Sequence, residues 1–211
     1  ERRGVDLYDM APSAVASATE EGEIDAGPAP LVDFFRLAGH FRPLAGFCLA
    51  AASKAGSVFL HSKQPIQELT GARIGIAYVA LADPYDACLL TGTQGLRRRR
   101  GVRGYPHKYD LGEEWHQWTG LPFVFARWIV RKDLDPKAAA LVEDALYVAL
   151  QDWADGLYRL SEPRDKVLML PREMLVYTQG FRYFIGAPEE KAIGLFRQYL
   201  DQLKLNTQLL S

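Results

Sequence analysis

Residues 110–128, DLGEEWHQWTGLPFVFARW, set two adjacent acids, Glu113 and Glu114, beside His116, and these are residue types from which general acid–base sites are built. A working pair of carboxylates needs both groups on one face, in environments that push their pKa values apart. Neighbouring helix residues point about 100° apart, so Glu113 and Glu114 do not face each other. Acids in a first helical turn instead complement the positive end of the dipole. Trp115 and Trp118, three apart, are expected to form the buried stripe, with His116 and Gln117 off to its side. These spacings describe architecture rather than a catalytic centre.

LRRRRGVRG carries five arginines between Arg97 and Arg103, forks that can grip carboxylate or phosphate. At a helix end such a run reads more simply as a solvated loop. The histidines His40, His61, His107 and His116 show no metal-ligand spacing, and the chain has no GxSxG, Walker or GxGxxG pattern. Cys48 and Cys88 sit in apolar strand-like settings and read as buried small hydrophobes, not as a disulfide or a nucleophile. GEIDAGPAPLVDFF is of a different kind, because a strand ending at Gly27 and a Pro-Ala-Pro loop into a helix could present backbone N–H groups to a ligand. The candidate binding residues are therefore Gly27, Pro28, Ala29 and Pro30, in a loop reaching Leu31. Ser57 is added as a further contact, although a turn role explains it more simply. No catalytic residue and no metal ligand is assigned.

Elements must position these groups. The 211 residues are 48% hydrophobic and 24% charged with a net charge of −1, an ordinary composition that gives no bias toward nucleic acid or membrane. The longest apolar stretch, GFCLAAASKAGSVFL, is split by Lys54 and is too short to span a bilayer. A cytoplasmic location is expected, although a chain opening on Glu1 leaves room for a signal peptide or a first strand before it. A short helix begins near Pro12 and ends near Gly22, and a strand covers Ile24 to Gly27. Phe47 to Leu60 reads as a hairpin turning on SKAG, followed by a helical turn in SKQPIQEL and a strand at ARIGI. Ile76 then meets AYVALADPYDACLL with no turn chemistry, which suggests one long strand or a missing segment. A short helix leads into the arginine run, YPHKYDL is extended, and GEEWHQWTG is a two-turn helix stopped by Gly120 and Pro122. LPFVFARWIVRKDL is a core strand, and Pro136 opens a strong helix to about Trp153. The end reads as a helix around SEPRDKVLML, an irregular YTQGFRYFIGAP, and a last helix from Pro188 to about Leu205. Strands alternating with helices give an α/β fold.

Four blocks, GEIDAGPAPLVDFF, SVFLHSKQPIQELTGARIGI, YDLGEEWHQWTGLPFVFARWIVRKDL and FRYFIGAPEEKAIGLFRQYL, resemble in content and order the menaquinone-biosynthesis family of the futalosine pathway. WTGLPFVFARW, the most specific, is similar to the chorismate dehydratase branch. The resemblance implies a two-lobed, periplasmic-binding-protein-like (type II) architecture with a ligand cleft between lobes. Residues 1–75 would form lobe 1, with its first strand absent, and 76–125 lobe 2; 126–211 would bring the return strand and C-terminal helices back to lobe 1. It implies a carbon–oxygen lyase that dehydrates chorismate to 3-[(1-carboxyvinyl)oxy]benzoate, with no cofactor or metal. The partner would be a small anionic carboxylate ligand, with no nucleic acid and no membrane, and a homodimer is compatible. The chain departs from the family at its first strand, whose Asn is thought catalytic, and at the Ser/Thr turn after RIGI. It departs again at Ala29, Pro30 and Leu31, where serines are common, and at Thr93, where an acid is common. A non-catalytic solute-binding protein for a small carboxylate, or a sister-branch enzyme using a futalosine-derived substrate, are the alternatives.

Overall fold

The computed structural model describes residues 4–10, 12–76, 85–157 and 168–209. The chain forms two compact units, one drawn from Glu1–Ala50, Val124–Arg159 and Phe181–Ser211, the other from Ala51–Phe123 and Leu160–Gly180. Residues 51–75, expected with the first lobe, therefore pack with the second, and 171–180 join them. Each unit has its own four-stranded sheet.

The first unit contains α1 (Pro12–Glu20), β1 (Ala26–Pro30), α2 (Leu31–Arg36) and nearly all of β2 (Phe41–Ala51). In the second lie β3 (Val58–Ser62), β4 (Ile74–Gly75), β5 (Ala87–Thr91), α3 (Gly92–Arg97), β6 (His107–Asp110) and α4 (Leu111–Thr119). β7 (Phe123–Arg131) carries the chain back to the first unit, which adds α5 (Pro136–Leu157). α6 (Pro171–Gln179) belongs to the second unit, and β8 (Phe181–Phe184) and α7 (Ala187–Leu209) to the first.

Strand order in the first sheet is β1-β7-β2-β8, with β1 antiparallel to β7 in the register Gly27↔Ile129 and Ala29↔Arg127. Side-chain alternation divides its two faces. Ala29 and Ile129 pack with Ala16, Leu37 and Phe41, while Val130 and Trp128 pack with Ala139, Val142 and Leu146 of α5. α5 begins where Asp135 accepts from the amides of Lys137 and Ala138 at 2.9 and 3.2 Å, a side-chain cap ahead of a first-turn proline. The second sheet runs β4-β5-β3-β6, with β5 and β6 antiparallel to β3, and Cys88, Leu90, Val102 and Tyr105 form its apolar cluster.

Several expectations are corrected. Phe47–Leu60 is not a hairpin: β2 and β3 belong to different sheets, and the SKAG connector is held by Asp110 rather than by strand pairing. The strand expected at Ile24–Gly27 lies at Ala26–Pro30, because β7 supplies a partner for both prolines' positions. Most of SEPRDKVLML lies outside the described residues, and the helix there is Pro171–Gln179, with Glu173 closing its first turn on the Leu170 amide at 2.9 Å. The stretch read as irregular contains β8, which pairs beside β2. The residues following Ile76 lie outside the described ones. Cys48 and Cys88 are buried thiols, and burial, with Glu189 nearby, pushes the Cys48 thiol up to about 12. Among the described residues no helix is long and apolar enough to cross a membrane.

Candidate functional site

The polar groups of α4 and its cap go to structural partners. Asp110 caps the helix, accepting from the amides of Gly112 and Glu113 at 2.9 and 3.2 Å. Its two oxygens also take the amides of Ala55 and Gly56 at 2.9 and 2.7 Å, so one buried carboxylate fixes both the helix start and the SKAG connector. Glu113 pairs with the exposed Lys54 at 2.9 Å. His116 places Nδ1 3.2 Å from the Leu121 carbonyl, and Trp115 donates its indole N–H to the Pro122 carbonyl at 3.0 Å. Gly120, at φ 70°, ends the helix in the left-handed region. Asp110 and Glu113 tie the helix to the SKAG connector, and Trp115 and His116 tie it to the turn that leads into β7. Trp118 is not buried as expected: it is 65% exposed and meets Trp115 edge-on, because the side of α4 that enters the core is the one carrying Gly112. A Cβ on Gly112 would stand 2.6 Å from the Ala55 nitrogen.

The expected binding residues separate. Gly27, Pro28, Ala29 and Pro30 are strand rather than loop, and the helix follows at once at Leu31. Pro28 and Pro30 have no N–H, so no row of free amides faces a ligand there. Ala29 is fully buried in the apolar cluster against Ile129 and is a core residue. Gly27 is needed for close packing of α1, since a Cβ would meet Val15 Cγ1 at 2.8 Å. Ser57 belongs to the second unit, where it is buried beside the Ala55 carbonyl and hydrogen-bonds Tyr177. Burial raises the Tyr177 phenol, and the Ser57 contact opposes that rise. Ser57 is thus a turn and packing residue in the described structure.

Gly27 and Pro28 do line a pocket of about 490 Å³ in the first unit. Its walls come from residues 4–8, residues 23–28, Trp128 and the inner face of α5, including Leu141, Val142 and Ala145. Asp6, Glu23 and Asp25 are the charged residues among the described ones that line it, and Asp25 pairs with Arg131 at 3.3 Å.

A second polar site in the same unit has the opposite sign. Arg127 projects from the middle of β7, its side chain only 11% exposed, over the Phe34 ring at 6.0 Å. Its guanidinium reaches Glu190 at 3.5 Å and the Ala45 carbonyl at 3.4 Å, and Nε is buried with no partner. Ala45 has φ +44°, a strained conformation for a residue with a Cβ. These contacts are long for a guanidinium, which is satisfied best by a bidentate carboxylate. Nearby, Glu189 is 2% exposed and accepts from Arg182 at 2.8 Å and the Gly186 amide at 2.9 Å. Burial alone would raise its pKa, but Arg182 and these amides hold it below the usual carboxylate value. The sequence signal for Arg127 was one cation inside the apolar run FVFARWIV; the signal for Asp110 was an acid directly ahead of a helix with Glu113 at its third position.

The arginine run is also partly structural. Arg99 is 16% exposed and grips both oxygens of Glu173 at 3.0 and 2.9 Å, while also donating to the Leu96 and Leu168 carbonyls. The Leu170 amide, then Arg99, lower the Glu173 pKa to about 2.

The chain is similar to known proteins both in sequence and in fold. The family model described as menaquinone biosynthesis matches residues 76–202. A chorismate dehydratase from Thermus thermophilus is 30% identical over 135 residues, 57% of this chain and 49% of the relative. The chain thus spans about half the length of that curated relative. The solved structure of protein AF1704 from Archaeoglobus fulgidus superposes with a TM-score of 0.68 at 14% identity, covering 93% of this chain and 85% of that one, a likeness of fold.

Proposed function

The chain belongs to the menaquinone biosynthesis family, and from that premise we propose that it acts on chorismate, removing water to give 3-[(1-carboxyvinyl)oxy]benzoate. The observation that carries this reading is the match to a chorismate dehydratase at 30% identity over 135 residues. The reaction breaks a ring C–H bond and a C–O bond and releases one water, so it requires that the substrate's carboxylates be held while the hydroxyl leaves. Arg127 is the group we assign to a carboxylate, because its guanidinium is largely buried and under-bonded. Ser57 remains a proposed contact, as do Gly27, Pro28 and Pro30, with Ala29 acting only through its backbone. The two units are proposed to correspond to the two lobes of a periplasmic-binding-protein-like architecture, and a cytoplasmic location goes with the biosynthetic role.

The test is incubation of the folded protein with chorismate, with the enolpyruvyl-benzoate product followed by mass spectrometry. Product formation that falls at least about tenfold in Arg127→Met supports the proposal, since losing one charge-assisted partner costs on that order. Chorismate binding without turnover would replace it with a non-catalytic carboxylate-binding protein. Neither binding nor turnover would remove both.

A further inference from the structure

Among the ion pairs of the described residues, Arg127 has the most buried arginine side chain, 11% exposed, and yet the longest contact, 3.5 Å to Glu190. A buried guanidinium is satisfied best by a close, two-pronged carboxylate, as Arg99 is by Glu173 at 3.0 and 2.9 Å. Arg127 instead has one carboxylate oxygen at that long distance, the Ala45 carbonyl at 3.4 Å, and an Nε–H with no partner. A largely desolvated cation is thus matched to a counter-ion that is 64% exposed.

Two adjacent acids of α7 differ in what holds them. Glu189 is 2% exposed and locked by Arg182 at 2.8 Å and the Gly186 amide at 2.9 Å, so it cannot leave without stranding a buried charge. The Glu190 carboxylate meets Arg127 and no other polar group among the described residues. A pair this long and this exposed is screened by solvent and contributes little. Swung into water, the carboxylate would stay hydrated and beside the positive end of α7, in whose first turn it lies. The guanidinium is set in place: it projects from the middle of β7 over the Phe34 ring at 6.0 Å. The Ala45 peptide that it touches is pinned through Gly46, whose carbonyl accepts from the Ile185 amide at 2.7 Å.

We propose that Glu190 is a displaceable internal carboxylate, on the reading above that Arg127 receives a carboxylate of the substrate. It covers the guanidinium until the ligand's carboxylate takes its place, and then turns out into solvent. Glu190 thereby sets a threshold for binding. A ligand gains from the exchange only if it grips Arg127 with both oxygens or is anchored by a further group.

Chorismate binding is followed by calorimetry at low salt, and its dehydration product by mass spectrometry, on the wild type, Glu190→Gln and Arg127→Met. Glu190→Gln should tighten binding about threefold, the scale of a screened pair, lower KM by the same factor and leave the Tm where it was. Arg127→Met should weaken binding at least about tenfold. The Arg127 Nε–H resonance in heteronuclear NMR spectra, recognised by its loss in Arg127→Met, separates displacement from the simple removal of a negative charge. It should differ between the wild type and Glu190→Gln, and saturating chorismate should bring the two to one position, because the same ligand group then occupies the guanidinium. Resonances that stay apart at saturation would overturn the displacement and leave the assignment of Arg127 standing. So would Glu190→Gln binding no tighter than the wild type while Arg127→Met binds more weakly. Unweakened binding in Arg127→Met, or no chorismate binding by the wild type and Glu190→Gln, would overturn both. Binding without product removes the dehydratase reading alone, since displacement is read from binding.

Discussion

The two units reach stability by different means. In the first, alternate residues of β1 and β7 enter two apolar clusters, one under α1 and α2 and the other under α5. In the second, short strands surround a small apolar cluster, and carboxylates at Asp110 and Glu173 tie connectors and helices to them. The first unit therefore tolerates changes that keep volume and apolar character, whereas the second depends on close backbone approaches and on acceptors that few substitutions can replace.

The largest expected effect tests those approaches. A Cβ on Gly95 of α3 would lie 2.1 Å from the Ser57 carbonyl oxygen and 3.1 Å from that of Leu90, both backbone atoms that cannot swing aside. Gly95→Ala should destabilise the second unit by about 3 kcal/mol, at the upper end for overpacking. Gly194→Ala in α7 of the first unit meets nothing within 4 Å and should stabilise by about 0.5–1 kcal/mol through lost backbone freedom. Denaturation followed by hydrogen exchange resolves the two units separately; equal effects of opposite units would end the contrast.

Next comes the buried acceptor. Asp110→Ala strips partners from four amides, those of Ala55, Gly56, Gly112 and Glu113, and should cost about 2–3 kcal/mol, more than an ordinary cap because two of these amides belong to another segment. Asp110→Asn keeps one acceptor and should recover part of the loss. Faster exchange should appear at residues 55–56 as well as at the start of α4. If only α4 loosens, Asp110 is a cap and nothing more.

How much of this could be read from residues follows the same division. The helices with periodic apolar faces and a clear opening, α1, α5 and α7, lie close to where spacing put them, because propensity, capping and burial all point one way. The supposed hairpin at Phe47–Leu60 failed because two apolar runs joined by a short polar turn look alike whether they pair or part. What separates them is the distant Asp110, more than fifty positions along the chain, which no local pattern reveals. The stripe of Trp115 and Trp118 failed for a related reason: helical spacing identifies a shared side but not whether it faces the core, and Gly112 decided that by close approach. Of the expected binding residues, Gly27 and Pro28 line a pocket within the first unit, together with Asp6 and Glu23 from other segments, which no local pattern could bring together. Arg127 was visible only as an oddity in an apolar strand.

A pH scan sharpens the comparison without any clash. His61 in β3 is fully buried with neither ring nitrogen partnered, and burial, reinforced by Lys108, lowers its pKa from 6.5 to about 4. The folded second unit thus binds fewer protons than the unfolded chain between these values. Its stability is full above about pH 6.5 and falls as pH drops toward 4, by up to about 3 kcal/mol. In the first unit the group to watch is Glu189, whose folded pKa is depressed, so its contribution persists above the ordinary carboxylate range and is lost only at lower pH. On acidification the second unit should loosen first. His61→Leu, which removes two unpartnered buried nitrogens, should erase the loss between pH 6.5 and 4 and leave the first unit's profile alone.

The smallest effect lies inside one run of like residues. Arg99 and Arg100 both reach Glu173, yet Arg99 is 16% exposed and also holds the carbonyls of Leu96 and Leu168, whereas Arg100 is 82% exposed and makes one contact at 3.2 Å. An exposed pair is screened by solvent and contributes little, while a guanidinium bridging a carboxylate and two carbonyls ties α3 to the segment that opens α6. Arg99→Ala should therefore lower the Tm and speed exchange across Pro171–Gln179, and Arg100→Ala should leave both unchanged. Arg99→Lys should restore little, because a single ammonium cannot span the carboxylate and both carbonyls. Should Arg100→Ala prove as costly as Arg99→Ala, the run would be acting through its summed charge, and raising the salt concentration would then equalise the wild type and both variants.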